Sequence, residues 1–264
     1  MAMQYQGKTA LVTGASAGIG VEFAHQLAAR GANLVLVARR EERLAALSEQ
    51  LRSKYGVKVN YIALDLGEPT SGASLIAQLA QDSVTTDILI NNAGFATNNK
   101  VADEDRLRVQ AQIQLNVGTL VDLTIGLLPD MQAQGFGAIV NVASTAALQP
   151  VPNLAVYAAT KAFVLSFTEA LWGELRGTNV KTLAICPGAT ESEFWEVADM
   201  DSKSMPGMQT AKQVVTTTLR ELDKSNSRGS VISGGLNKVQ AQLLRVAPRR
   251  LAIAIAGKLF DHAD

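Results

Sequence analysis

Seven short apolar runs recur along the chain, at residues 9–12, 33–38, 59–64, 88–90, 138–142, 181–185 and 230–232. Several are apolar at successive positions where a half-exposed strand would alternate, which is the pattern of strands covered on both faces. Stretches with helical spacing lie between them, at 18–30, 41–55, 107–134, 154–176 and 210–223, the last opening on a Thr210-x-x-Gln213 capping box. Strand and helix alternating in this way predict a doubly wound α/β sheet, because right-handed crossovers between parallel strands lay helices over both faces. Ligands in such sheets bind beyond the carboxyl ends of the strands.

At 264 residues and 47% hydrophobic composition the chain suits one large core, so a single domain over 1–264 is expected. Acidic and basic residues balance at 24 each with no block of like charge, which argues against nucleic acid as a partner. Cys186 is the only cysteine, and His25 and His262 lie far apart in sequence, so neither a disulfide framework nor a zinc cluster is expected. Residues 1–8 lack the apolar stretch of a signal peptide and no segment has eighteen uninterrupted apolar residues, which points to the cytoplasm.

The first strand runs into Thr13-Gly14-Ala15-Ser16-Ala17-Gly18-Ile19-Gly20. Glycines there allow a tight turn and let backbone amides approach a pyrophosphate at a helix N-terminus. After the second strand, where a carboxylate would take the ribose 2′-hydroxyl of NAD, the chain reads Ala38-Arg39-Arg40-Glu41. Arg39 can offer a fork of donors to a 2′-phosphate; alternatively Arg39 and Arg40 simply open a solvated helix.

The G-x-x-x-G-x-G spacing with its preceding threonine resembles the short-chain dehydrogenase/reductase family, over about residues 7–232. The resemblance implies a Rossmann-fold domain, a three-layer αβα sandwich with a mainly parallel seven-stranded sheet. It further implies that Gly14, Ser16, Ala17, Gly18, Ile19 and Gly20 cradle the cofactor, with Ser16 assisting Arg39 and Arg40. In the family pattern Asp65 bonds the adenine amino group, Leu66 flanks the ring, and Asn92, Ala93 and Gly94 lie against the cofactor. The carboxamide contact falls to Thr190 or Ser192, following Pro187 and Gly188. NADP(H) is expected over NAD(H).

Ser144 ends the fifth strand, Tyr157 follows thirteen residues on, and Lys161 four beyond that, the catalytic spacing of the same family. Residues four apart share a helix face, so the Lys161 ammonium is expected beside the Tyr157 phenol, lowering its pKa from about 10. Tyr157 is then the general acid/base and Ser144 a hydrogen-bond donor to the reacting oxygen. By resemblance, Lys161 also holds the nicotinamide ribose, and Asn116 fixes a water that links the lysine to solvent. Cys186 has no activating base nearby in sequence and reads as structural.

The irregular stretch 189–210 carries Phe194, Trp195, Met200, Met205 and Met208 and reads as a lid over an apolar substrate, or as a loop anchored by packing. Its acids, Glu191, Glu193, Glu196, Asp199 and Asp201 against one Lys203, disfavour a carboxylate substrate unless they face solvent. A helical extension at about 236–264 carries Arg245, Arg249, Arg250 and Lys258 around Pro248. It reads as pocket cover, as an oligomer contact, or as a basic surface touching anionic lipid. The expected function is NADPH-dependent reduction of an apolar ketone, or oxidation of the secondary alcohol, by a homodimer or homotetramer. The rival is a non-catalytic NADP-binding sensor on the same fold.

Overall fold

A computed structural model describes residues 3–201 and 207–259. Its sheet has seven parallel strands in the order β3-β2-β1-β4-β5-β6-β7. These are β1 (Thr9–Thr13), β2 (Asn33–Ala38), β3 (Val59–Ala63), β4 (Ile88–Asn91), β5 (Gly137–Val142), β6 (Val180–Cys186) and β7 (Ser230–Ile232). The helices are α1 (Gly18–Ala28), α2 (Glu41–Tyr55), α3 (Ser71–Gln81), α4 (Arg106–Ile113), α5 (Thr119–Ala133), α6 (Ala155–Glu174), α7 (Phe194–Val197), α8 (Ala211–Leu222), α9 (Gly235–Val246) and α10 (Arg249–Leu259). The strand order reverses between β1 and β4, and a doubly wound sheet opens a crevice at that switch point.

Successive strand residues point to opposite faces, and both faces are buried. Val12, Leu34, Leu36, Val140 and Leu183 pack with Phe23 and Leu27 of α1 and Val215 and Leu219 of α8. Their neighbours Leu11, Val35, Val37 and Ile139 pack on the other side with Leu75 of α3, Leu123 of α5 and Leu171 of α6. This is the three-layer αβα arrangement, and it explains the unbroken apolar runs. The capping box forms as expected: the Thr210 hydroxyl accepts from the Gln213 amide, and the Gln213 side chain accepts from the Thr210 amide.

Two departures bear on the site. The helix expected over 107–134 is divided by a wide π-helical turn at Gln114–Gly118, which carries Asn116. Helix α3 was not anticipated, because its Ser-Gly-Ala-Ser opening is a weak helix signal. Its small residues serve a close approach to α5: a Cβ on Gly72 would lie 2.8 Å from Asp122 Cβ. Packing against α5 supports the helix that its opening residues signal only weakly.

Candidate active site

A cavity of about 550 Å³ opens beyond the carboxyl ends of β1, β2, β4, β5 and β6. The residues expected at the site from sequence, Asn116 and Gly20 aside, line it directly. At one end lies the glycine turn. Gly14 and Gly18 take φ of +66° and +53°, and a Cβ on Gly20 would meet Gly14 O at 2.2 Å. The Thr13 hydroxyl donates to Ile90 O (3.2 Å) and accepts from the Asn92 and Ala93 amides (3.0 Å each), tying β1 to β4. Asn92 Nδ2 donates to Thr13 O at 2.9 Å, so this side chain holds the turn and presents Ala93 and Gly94 to the cavity. No side chain caps α1 at Ala17, which leaves the amides of its first turn to the cavity.

At the end of β2 the two arginines diverge. Arg40 donates to the Ser16 hydroxyl through Nε (3.2 Å) and an η nitrogen (3.0 Å), whereas Arg39 pairs with Asp65 at 3.6 Å. Both line the cavity, and the side chain seated on Ser16 is that of Arg40. Asp65 also accepts from the Gly67 amide, and Leu66 is buried beside it.

At the other end lie Ser144, Tyr157 and Lys161. Ser144 is hydrogen-bonded to the Tyr157 phenol, and its hydroxyl also accepts from the Ala146 amide at 3.1 Å. Lys161 Nζ donates to Val142 O at 2.7 Å and lies 5.7 Å from the Tyr157 ring centroid. The expectation that Lys161 depresses the tyrosine pKa is not met. Burial pushes Tyr157 up to about 12 against the opposing hydrogen bond from Ser144, and burial pulls Lys161 down to about 8. Desolvation disfavours the charged form of both groups and is the largest cause of each shift.

Asn116 is buried and does not itself line the cavity, but it holds Phe95, which does. Its Nδ2 donates to Phe95 O (3.0 Å) and to Thr160 Oγ1 (3.1 Å), and its Oδ1 accepts from the Phe95 amide (3.2 Å). Gly94 is packed so closely that a Cβ there would lie 2.8 Å from Asn116 Oδ1 and 3.4 Å from Lys161 Nζ. Cys186 is buried, its thiol pushed up to about 12, consistent with a packing role.

Residues 189–201 run along the cavity, with Ser192, Glu193, Phe194, Val197 and Met200 in its lining. Thr190 is buried after Pro187 and Gly188, while Ser192 lies against the glycine turn, its Cβ 2.9 Å from where a Cβ on Gly18 would be. Phe194 sits 5.4 Å from the Tyr157 ring, and Trp195 Nε1 donates to Thr190 O at 2.8 Å. Trp195 thus anchors the segment as well as lining the cavity. Glu191, Glu196, Asp199 and Asp201 are exposed, so they do not repel an anion within the cavity. Met205 and Lys203 lie outside the described residues, as do the side chains of Arg245 and Lys258. Leu148, Val151 and Leu154, together with Asn237, Gln240, Ala241 and Leu244 of α9, complete the wall. These were missed individually, since only the chain's return over the sheet brings them to the cavity.

A family model for short chain dehydrogenase matches residues 8–203. The chain belongs to the short-chain dehydrogenase family. It is therefore an oxidoreductase fold in which the glycine turn, Ser144, Tyr157 and Lys161 all fall inside the matched span. Among its relatives, a short chain dehydrogenase of Pseudocercospora fijiensis is 37% identical over 72% of this chain, which spans 62% of that protein. The ketoacyl reductase HetN of Nostoc sp. is 34% identical over 92% of this chain and 86% of its own. A sulfoacetaldehyde reductase of Chromohalobacter salexigens is 42% identical over 69% of this chain and 72% of its own. A 7β-hydroxysteroid dehydrogenase structure superposes with a TM-score of 0.87 at 27% identity, covering 97% of this chain and 99% of its own. A short-chain dehydrogenase from Sphingobium yanoikuyae in complex with NADPH gives 0.79 at 33% identity, covering 91% and 96%.

Proposed function

We propose that this short-chain dehydrogenase is an NADPH-dependent reductase of a neutral, apolar ketone. The observation that carries the reading is one cavity with a glycine cradle and arginines at one end and a hydrogen-bonded Ser144–Tyr157 pair at the other. The cradle fits a dinucleotide: Gly20 admits no side chain, and the uncapped start of α1 favours phosphate. Ser16, Arg39 and Arg40 would hold a 2′-phosphate, Asp65 and Leu66 the adenine, Lys161 the nicotinamide ribose and Thr190 the carboxamide. Ser192, being against Gly18, suits the phosphate turn instead. Bound NADPH supplies the hydride.

The chain's own groups handle the oxygen and its proton. Tyr157 is held as the neutral phenol at pH 7, the form that donates a proton to a developing alkoxide. Ser144 is placed to donate to the same oxygen. Lys161, anchored on Val142 O, is the source that restores the phenol proton, and Asn116 fixes the Phe95 carbonyl and Thr160 beside it.

Leu148, Val151, Leu154, Phe194 and Met200 make the substrate side apolar. Among the described lining residues the cations are Arg39, Arg40 and Lys161, with no further one to receive a substrate anion. That favours a neutral ketone over a sulfonate such as the relative's name denotes.

NADPH oxidation over 3-oxoacyl thioesters, cyclic and steroidal ketones and aromatic aldehydes tests the reading. One class should be turned over, and Tyr157→Phe should lower its kcat by about 10²-fold or more. NADPH binding with no turnover of any class would favour the sensor role.

A further inference from the structure

Arg40 is the N-cap residue of α2 and Arg43 lies in its first turn. Both are engaged by an acid about 150 residues away in sequence: Glu193 Oε2 accepts from Arg40 at 2.6 Å and Glu193 Oε1 from Arg43 at 2.5 Å. Arg40 is at the same time on the Ser16 hydroxyl, and Ser192 is packed against Gly18. The stretch around Ser192 and Glu193 is therefore fastened onto the nucleotide end of the cavity by a carboxylate. The two guanidinium groups hold that carboxyl below its ordinary range, so it is an anion at neutral pH. Its acidic neighbours Glu191, Glu196 and Asp199 are exposed to solvent, which makes the inward placement of Glu193 particular to this residue.

Two arginine forks meeting on one carboxylate, one of them also held by the Ser16 hydroxyl, make a seat for an oxyanion. A phosphate monoester brings up to two charges and three acceptor oxygens to such a seat, where a carboxylate brings one charge and two oxygens. We propose that Glu193 is a resident counter-anion in the 2′-phosphate seat, and thereby a determinant of cofactor specificity. A 2′-phosphate displaces it from Arg40, and the displacement releases the segment whose next two residues, Phe194 and Trp195, line the substrate cavity. A cofactor with a free 2′-hydroxyl leaves the carboxylate where it is. The inference rests on the NADPH reading and adds that the cofactor's 2′-phosphate and the substrate mouth are coupled through one side chain.

Calorimetric titration with adenosine 2′,5′-bisphosphate and with 5′-AMP, on wild type and Glu193→Gln, tests it. Relieved of the competing charge, Glu193→Gln should bind the bisphosphate about two- to fivefold more tightly, with 5′-AMP affinity unchanged. Glu193→Ala should do the same, excluding a special effect of the amide. In a Trp172→Phe background, which leaves Trp195 as the reporter, the bisphosphate but not 5′-AMP should change the emission of the otherwise wild-type protein.

A bisphosphate preference that is equal in wild type and both Glu193 variants would overturn the proposal and leave NADPH dependence standing, as would weaker bisphosphate binding by the variants. No preference for the bisphosphate in any of the proteins would overturn the NADPH reading itself, and the counter-anion role with it.

Discussion

Lys161 and Tyr157 are both buried, and burial moves them toward neutrality from opposite sides, to about 8 and about 12. Ketone reduction needs the lysine proton as its reserve, so kcat should fall as pH rises through about 8, the point at which Lys161 is lost as a cation. A pH–rate profile checks this; Lys161→Met should abolish that limb and lower activity throughout. The stability sign is the reverse. Between about 8 and its unfolded value the unfolded chain binds the lysine proton and the folded chain does not, so Lys161 makes stability rise with pH there. The spacing of Tyr157 and Lys161 was legible in sequence. The direction of the tyrosine shift was not, because it depends on how much protein surrounds the phenol.

The π-helical turn between α4 and α5 is the element that fixes one side of the site. A regular helix through 107–134, as the periodicity suggests, would rotate Asn116 out of register with Phe95 and Thr160. Wide turns of this kind put one extra residue into a helix and recur at functional places. Asn116→Ala removes bonds to Phe95 and Thr160 and takes the partner from the half-buried Phe95 amide, while Gln112 still donates to the Phe95 carbonyl, at a cost of about 1 kcal/mol. We expect a lower melting temperature together with a loss in kcat, measured side by side. Asn116→Asp, which keeps the acceptor for the Phe95 amide but loses the Nδ2 donor, should recover only part of each.

At the scale of the molecule, Val101, Leu107, Ile113 and Ile125 are exposed on and around α4 and α5. The run Arg106–Ala133 is apolar enough to cross a membrane by length and composition. Leu120, Leu123, Leu127 and Met131 of α5 are instead buried, three of them packing in the core beneath the sheet. We predict that this exposed apolar set meets a second copy, as the dimer or tetramer expected from the family resemblance would require. Light scattering should show an oligomer that Ile125→Asp dissociates, with Leu243→Asp on α9 as the comparison. An oligomer dissociated only by Leu243→Asp would place the contact on the C-terminal helices.

The sequence alone determined the parallel sheet, most strand positions, the glycine turn and the Ser144, Tyr157 and Lys161 set, because these are local: apolar runs, obligatory glycines and fixed spacings carry their own physics. What depended on distant parts of the chain meeting was left to the tertiary structure. Arg40 meets both Ser16 and the distant Glu193, α3 packs closely against α5, and α9, following β7, lines the cavity. Long-range contacts select among conformations that local sequence leaves nearly equal in free energy, and each of these outcomes was such a selection.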